Sequence, residues 1–558
     1  MIWSYWNTRQ LQEAIDEIDE ELYDNLKAML PSLRGESFDP TEIDNRSNLV
    51  KILEAFAPSD YFSKKPNLEK CLNHLPPAKL KQLVRGLNEI GISILRGEHS
   101  AMVGQILSLR WKNRLFSDFF IQFFELPIHF QAPDNVKTPS FVDIEPLSEE
   151  NPTPLIARPL KNLIDYQTQV YLDSMEKLQI PRSRFVIQMP TGSGKTRTSM
   201  EIISSFLKKA DEGAVVVWLA HSSELCEQAY QCFIEVWQYL SNKPLKAIRC
   251  WGSHPAPAAY EKSMFIVGGF QKINSLLKKD ASSFGQLSER VGLIVIDEAH
   301  KAVAPTYKNA IRMLKGDNTN VIGLTATPGR TETEETVEMT EFFFESKVNI
   351  TTPSGVSEIE MLKSRRVLAQ IDYIPIQSPL EIELTRSQKR SLEDTFDFPR
   401  GFLQTVASSN IRNIEIMKKL LLSCSEGRRI LFFACSVKHS KFIMSLLIYF
   451  GINAAHVDGS TSKGRREQVI QEFKDGTVQV LCNYGVLTTG FDAPNTDEVF
   501  IARPTNSVVL YSQMIGRGLR GPTIGGTERC RISDVKDNIQ GFGNQVRVYH
   551  WFEEFWDN

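Results

Sequence analysis

The sequence predicts an α/β fold of parallel sheets, preceded by a small all-helical N-terminal domain. Three observations lead to that class. Short apolar runs recur from Arg184 to Cys482, most of them ending in a polar or glycine-bearing turn. Strands alternating with helices in this way imply parallel sheets covered on both faces. Before residue 130, by contrast, the apolar residues fall at helical spacing. Between the two regimes stand Pro133, Pro139, Pro146, Pro152, Pro154 and Pro159, and proline removes backbone donors and resists helix. The predicted organisation is a helical domain over 1–130, an extended connector over 131–158, an α/β domain over 159–350 and a second over 351–558.

Composition sets limits. With 558 residues, 42% apolar and 23% charged, the chain has the make-up of a globular protein of several domains. A net charge of −3 neither requires nor forbids a polyanionic partner, because basic residues can be gathered in one groove. The eight cysteines include no Cys-x-x-Cys pair. They read as buried free thiols of a reducing compartment rather than zinc ligands or disulfides. No signal peptide is evident, and the aromatic stretch Phe116 to Phe130 carries Asp118 and Glu125 and is too short for a bilayer. The expectation is a cytoplasmic chain with no membrane partner.

In the N-terminal domain, Leu11, Ile15, Ile18 and Leu22 predict one amphipathic helix with acidic residues on its outer face. Leu80, Leu83, Val84, Leu87 and Ile90 predict a second after Pro76-Pro77, and a third runs from about Ala101 to Glu125. An acidic face would repel phosphates, so this domain is expected to meet protein rather than nucleic acid; the simpler reading is a solvated surface.

The stretch on which the chain turns is Met189-Pro190-Thr191-Gly192-Ser193-Gly194-Lys195-Thr196. A strand run (Arg184 to Gln188) precedes it and helical periodicity follows from Arg197 to Lys208. This is the context of a phosphate-binding loop. Gly192 and Gly194 let backbone N–H groups converge on phosphate oxygens, and the helix N-terminus adds positive potential. Lys195 can reach the β/γ-phosphates and the Thr196 hydroxyl can ligate Mg²⁺. The position where the usual pattern has its first glycine is Met189. Upstream, Gln167 carries an amide that could read adenine. Downstream, Val215 to Ala220 leads to His221-Ser222-Ser223-Glu224, and Ser263 to Gly268 leads to Gly269-Phe270-Gln271. The run Leu293 to Ile296 ends in Asp297-Glu298-Ala299-His300. Two carboxylates at a strand end suit a nucleotide hydrolase, Asp297 for Mg²⁺ and Glu298 for the attacking water. Val321 to Leu324 ends in Thr325-Ala326-Thr327.

Taken in this order, Gln167, the loop 189–196, the Asp-Glu-Ala-His run and Thr325-Ala326-Thr327 resemble the motor of a superfamily 2 helicase of the DEAH-box kind. The resemblance spans about residues 160–558 and implies two tandem RecA-like domains. The second domain carries matching features: Ile430 to Ala434 before Cys435-Ser436, Val478 to Cys482 before Thr488-Thr489-Gly490-Phe491-Asp492, and Gln513-Met514-Ile515-Gly516-Arg517-Gly518-Leu519-Arg520. By resemblance, ATP and Mg²⁺ are the cofactors, and Thr191, Gly192, Ser193, Gly194, Lys195, Thr196, Gln167 and Asp492 hold the nucleotide. Arg517 and Arg520 look like arginine fingers, whose guanidinium suits the charge developing on a transferring phosphoryl group. His221, Ser222, Gly269, Gln271, Ser436, Thr488 and Thr489 would contact the nucleic-acid backbone, and His300, Thr325, Thr327 and Gln513 would couple hydrolysis to movement. Many relatives have a threonine at Gly268-Gly269. The wording of the motifs is similar to bacterial DNA-repair and restriction-system motors. The expected function is an ATP-dependent helicase or translocase acting on DNA in preference to RNA, in repair or antiviral defence. Two alternatives stand beside it: the motor subunit of a complex whose nuclease is a separate protein partner, met through the N-terminal domain, and an ATP-gated nucleic-acid clamp.

Overall fold

The computed structural model describes residues 1–19, 21–35, 43–132, 139–144, 162–241, 243–256, 262–279, 287–299, 305–326, 333–389, 398–487, 495–505 and 508–540. A mostly parallel sheet, a second, wholly parallel sheet and a helical N-terminal domain make up their architecture.

Among its described residues the N-terminal domain has seven α-helices: α1 (Thr8–Asp16), α2 (Leu22–Arg34), α3 (Arg46–Phe56), α4 (Lys65–Asn73), α5 (Pro77–Glu89), α6 (His99–Ser108) and α7 (Arg114–Phe124). Two predicted helices are each divided. The periodicity from Leu11 to Leu22 breaks between α1 and α2, where the Asp19 carboxylate accepts the Glu21 N–H at 3.1 Å and offers the backbone a turn instead of a further helical bond. The stretch from Ala101 to Glu125 breaks at 109–113, where the buried Trp111 indole donates to the Phe130 carbonyl at 3.0 Å.

Strand β1 (Phe141–Ile144) falls within the predicted extended connector. Its prolines flank rather than interrupt Phe141-Val142-Asp143-Ile144, which pairs antiparallel with β4 (Leu245–Cys250). Arg249 of β4 fixes the approach: its N–H donates to the Ser140 carbonyl at 2.8 Å and its guanidinium to the Pro139 carbonyl at 2.8 Å.

The first sheet also holds β2 (Arg184–Gln188), β3 (Val215–Ala220), β5 (Met264–Gly269), β6 (Val291–Asp297), β7 (Asn320–Thr325) and β8 (Lys347–Asn349), in the order β1-β4-β5-β3-β6-β7-β2-β8. All of its pairs but β1–β4 are parallel. Around it pack α8 (Asp165–Lys177), α9 (Lys195–Lys209), α10 (Ser223–Leu240), α11 (Phe270–Lys279), α12 (Pro305–Leu314) and α13 (Thr333–Phe342). The second sheet, β11-β12-β10-β13-β14-β9, is parallel throughout. Its strands are β9 (Gln370–Glu383), β10 (Ile430–Phe433), β11 (Ala454–Val457), β12 (Val480–Asn483), β13 (Glu498–Ile501) and β14 (Arg529–Gln540). Its helices are α14 (Glu358–Ser364), α15 (Arg400–Ala407), α16 (Asn410–Ser425), α17 (Val437–Tyr449), α18 (Lys463–Asp475) and α19 (Val508–Ile515). These are two tandem RecA-like α/β domains.

The N-terminal domain does not sit apart. Its core is continuous with one face of the second domain, through Ile416, Met417 and Leu420 of α16 and Ile443, Met444 and Leu447 of α17. Polar contacts ring that seam: the Tyr449 hydroxyl donates to Asn48 Oδ1 at 2.6 Å and accepts from Arg34 at 2.9 Å, and Arg465 donates to the Ile128 carbonyl at 3.2 Å. Inside the second domain, Arg412 and Asp537 form an ion pair at 2.7 Å with both side chains 1% exposed or less.

Candidate nucleotide site between the two domains

The predicted site residues of the first domain gather at the carboxyl edge of its sheet, where open parallel sheets hold ligands. β2 feeds the loop 189–196, β6 ends in Asp297 and β7 ends in Thr325. The Thr325 carbonyl accepts the Met189 N–H at 3.1 Å, so the end of β7 fixes the start of the loop.

The loop turns back because Gly192 (φ 86°) and Gly194 (φ 90°) lie in the left-handed region. A side chain at Gly194 would also collide with the Gln167 amide. Gln167 is engaged at both ends: its Nε2 donates to the Ser193 carbonyl at 3.0 Å and its Oε1 accepts the Ile164 N–H at 3.0 Å. Its predicted task was to read adenine; in this structure it braces the loop and closes the first turn of α8. Tyr166, which sequence reading passed over although it adjoins Gln167, donates its hydroxyl to the same Ser193 carbonyl at 2.7 Å.

Lys195 opens α9, and its Nζ lies 2.9 Å from the Met189 carbonyl. Burial pushes its pKa down, and the Glu298 and Asp297 carboxylates oppose that shift. Asp297 is 9% exposed, and its Oδ1 accepts the Glu298 N–H at 3.0 Å. Glu298 itself has φ 56°, a left-handed conformation that costs a non-glycine residue about 1–2 kcal/mol. Strain of this kind persists only where the surroundings impose it.

The second domain completes the cluster. Gln513 of α19 donates its Nε2 to Glu298 Oε1 at 3.1 Å. Arg517 faces Glu298 and Asp297, and its Nε donates to the Gln513 carbonyl at 3.2 Å. Burial lowers Arg517 to about 10 and Arg520 to about 10, so both stay charged at neutral pH. The approach is close. A Cβ at Gly516 would overlap the Thr191 side chain, and Leu368 and Leu519 cover Gly192. None of these three contacts was visible in the sequence, although Gly516 had been noted as part of its motif.

The arrangement fits a nucleoside triphosphate with Mg²⁺. A glycine cradle at a helix N-terminus, Lys195 and Arg517 meet beside Glu298, with Asp297 and Thr196 as oxygen ligands for a cation, while Arg520 is buried in the same motif. Mg²⁺ typically takes one or two carboxylates together with phosphate oxygens. His300, Thr327, Thr488, Thr489 and Asp492 lie outside the described residues.

The predicted nucleic-acid contacts are of a different kind. Ser222 and Ser436 hold corresponding places in the two domains, each the N-cap of the helix after a buried strand. Their hydroxyls accept the N–H of Leu225 at 3.3 Å and of His439 at 3.1 Å. Each hydroxyl accepts in its cap and keeps an O–H to donate, so it and the helix N-terminus it shapes can both face a phosphate. His221 directly follows β3, Gly269 ends β5 and Gln271 is exposed at the start of α11.

Comparison with known proteins finds two family matches and several relatives. Residues 160–330 match the family described as "Type III restriction enzyme, res subunit", and residues 412–521 match "Helicase conserved C-terminal domain". The putative ATP-dependent helicase IRC3 of Saccharomyces cerevisiae is 28% identical over 369 residues, 64% of this chain and 49% of the relative. The ATP-dependent RNA helicase DBP3 of the same yeast is 24% identical over 362 residues, 63% of this chain and 60% of the relative. The chain thus spans about half to three fifths of these relatives' lengths. Among solved structures, the helicase domain of Pyrococcus furiosus Hef is 20% identical, with a TM-score of 0.40, covering 70% of this chain and 97% of that one.

Fold and site together are those of two α/β domains with a candidate nucleotide site between them. Both family matches fall on its two RecA-like domains, which are thus similar to the paired domains of superfamily 2 helicases. Among the described residues, no helix is long and apolar enough to cross a membrane.

Proposed function

We propose that this chain is an ATP-dependent nucleic-acid helicase or translocase that acts on DNA in preference to RNA. The observation that carries the reading is the contact of Gln513 with Glu298 at 3.1 Å across the two domains, with Arg517 beside the same carboxylates. Hydrolytic groups supplied by both domains come together only when the cleft is closed, so chemistry is tied to domain movement. Lys195 and the loop amides bind and orient the triphosphate. Asp297 and Thr196 would hold Mg²⁺, which when bound would supply positive charge to screen the phosphates. Glu298 orients a water and takes its proton, and Arg517 and Arg520 stabilise the charge that builds on the γ-phosphoryl oxygens. Nucleic acid lies along the helix N-termini after β3 and β10, held by its backbone and therefore without regard to sequence.

The match to a restriction-enzyme subunit supports DNA, while the RNA-helicase relative keeps RNA as the competing substrate. The same match supports a second reading, a motor that works with a separate nuclease, in repair or antiviral defence. One experiment addresses both. ATP turnover is measured with the chain alone and with single-stranded DNA, duplex DNA and RNA, using Glu298→Gln as the reference. DNA-stimulated turnover supports the proposal and RNA-only stimulation overturns the substrate. Unwinding that appears only when a nuclease partner is added favours the second reading.

A further inference from the structure

α19 has two jobs on two faces. Successive helical residues turn by about 100°, so Tyr511 and Gln513 point in nearly opposite directions. Gln513 reaches Glu298 of the first domain. Tyr511 is 1% exposed and its hydroxyl donates to Asp534 Oδ2 at 2.8 Å. Asp534 lies inside β14, opposite Ile501 of β13 and Pro375 of β9. Its Oδ2 also accepts the Tyr373 hydroxyl at 3.1 Å, and Lys536 Nζ lies 3.3 Å away. A carboxylate 1% exposed in the middle of a sheet is costly unless donors surround it, and an apolar residue there would pack at less cost. The use of such a group lies in its direction. Met514 and Ile515 bury α19 through apolar contacts, which tolerate small slips and rolls, whereas a short hydrogen bond to a fixed strand does not.

We propose that Asp534, acting through Tyr511, is a positioning residue of the hydrolytic site: it sets the roll and depth of α19, and so aims Gln513 and Arg517 at Glu298 and Asp297. The inference rests on the reading of those four as hydrolytic groups. It separates two phenols that share one carboxylate, since Tyr511 stands on the helix that carries Gln513 and Tyr373 stands on the edge strand β9.

The test uses the full chain and compares kcat and KM for ATP in Tyr511→Phe, Tyr373→Phe and Asp534→Asn, with thermal midpoints for each and Glu298→Gln as reference. Misaiming by a fraction of an ångström to 1 Å costs up to about 10²-fold in rate. Tyr511→Phe is therefore expected to lower kcat about tenfold or more with KM unchanged within about twofold. Tyr373→Phe should lose comparable stability and keep wild-type kcat. Asp534→Asn keeps an acceptor oxygen and should retain kcat within about threefold. Wild-type kcat in Tyr511→Phe, or an equal fall in Tyr373→Phe, overturns the proposal in favour of plain packing. Should Tyr511→Phe fail to fold, Tyr511→Phe/Asp534→Leu removes the stranded charge and carries the same comparison. Undiminished turnover in Glu298→Gln would instead sink the site assignment, whatever Tyr511 does.

Discussion

Removal of the Gln513 amide tests the meeting of the two domains directly. Gln513→Ala deletes one hydrogen bond, to Glu298 Oε1 at 3.1 Å. A bond to a charged group contributes about 1.5–3 kcal/mol. At about 1.36 kcal/mol per tenfold, its full loss at the transition state lowers kcat by roughly 10- to 150-fold. The upper part of that range is favoured by the backbone of Glu298, whose φ of 56° is imposed rather than preferred, so its carboxylate depends on outside partners for its aim. Binding of ATP draws mainly on the loop 189–196 in the other domain, so KM should move by less than about threefold. The assay is steady-state ATP turnover at saturating nucleic acid. Adding Glu298→Gln to Gln513→Ala should cost no more than Glu298→Gln alone, because the amide acts through that carboxylate. Wild-type kcat in a folded Gln513→Ala, or fully additive losses in the double variant, would refute the reasoning.

Three further outcomes are expected. Gly194→Ala places a Cβ at φ 90° and against the Gln167 amide, so ATP binding measured by titration should be lost or weakened by more than tenfold (about 1.4 kcal/mol), and rescue by enlarging the loop is not expected. Arg412→Met strands Asp537 in the interior and should cost about 3–5 kcal/mol in urea denaturation, whereas Arg412→Met/Asp537→Leu should recover most of it. Burial raises Glu54 of α3 to about 7, so between its ordinary range and pH 7 the folded chain binds a proton that the unfolded chain has released. Stability of the N-terminal domain should therefore fall, by up to about 3 kcal/mol, as pH rises through that window. Glu54→Gln should flatten the dependence; an unchanged pH profile of the urea midpoint would show that Glu54 is not its source.

How much of this was legible in the chain depends on the kind of force involved. Buried parallel strands are apolar runs of four to six residues, and Arg184 to Gln188 and Val215 to Ala220 match β2 and β3 at both ends. The candidate site edge also left a local trace, because glycines follow β2 and two carboxylates stand where β6 stops. β9 left no such trace. It alternates exposed and half-buried residues and carries Pro375 and Pro379, a pattern tolerated because it is an edge strand whose outer side needs no partner. β14 is charged along much of its length, with Asp534 and Asp537 satisfied by partners 23 and 125 residues away in sequence. Long-range pairing of that sort has no local signature. For Gln167, the residue type predicted an amide with two uses, and only the structure reveals that the loop and the helix turn take both.

The N-terminal domain shows the same limit and turns it into an argument about the motor. Its helical periodicity was readable, yet nothing in Leu80 or Phe120 says against what the domain as a whole will pack. Its core runs into α16 and α17, so it belongs mechanically to the second domain, although the chain leads from it directly into the first. Only six residues separate Ala132, whose carbonyl is held by Arg114, from Pro139, whose carbonyl is held by Arg249 of β4. At most about 3.6 Å per residue, the seven steps between them span roughly 25 Å. Whatever opening the cleft undergoes at Glu298 and Gln513 must therefore be a rotation that keeps these two anchor points within that distance, provided both anchors hold. Hinge motion about the side where the connector crosses satisfies that condition, and wholesale separation of the domains does not.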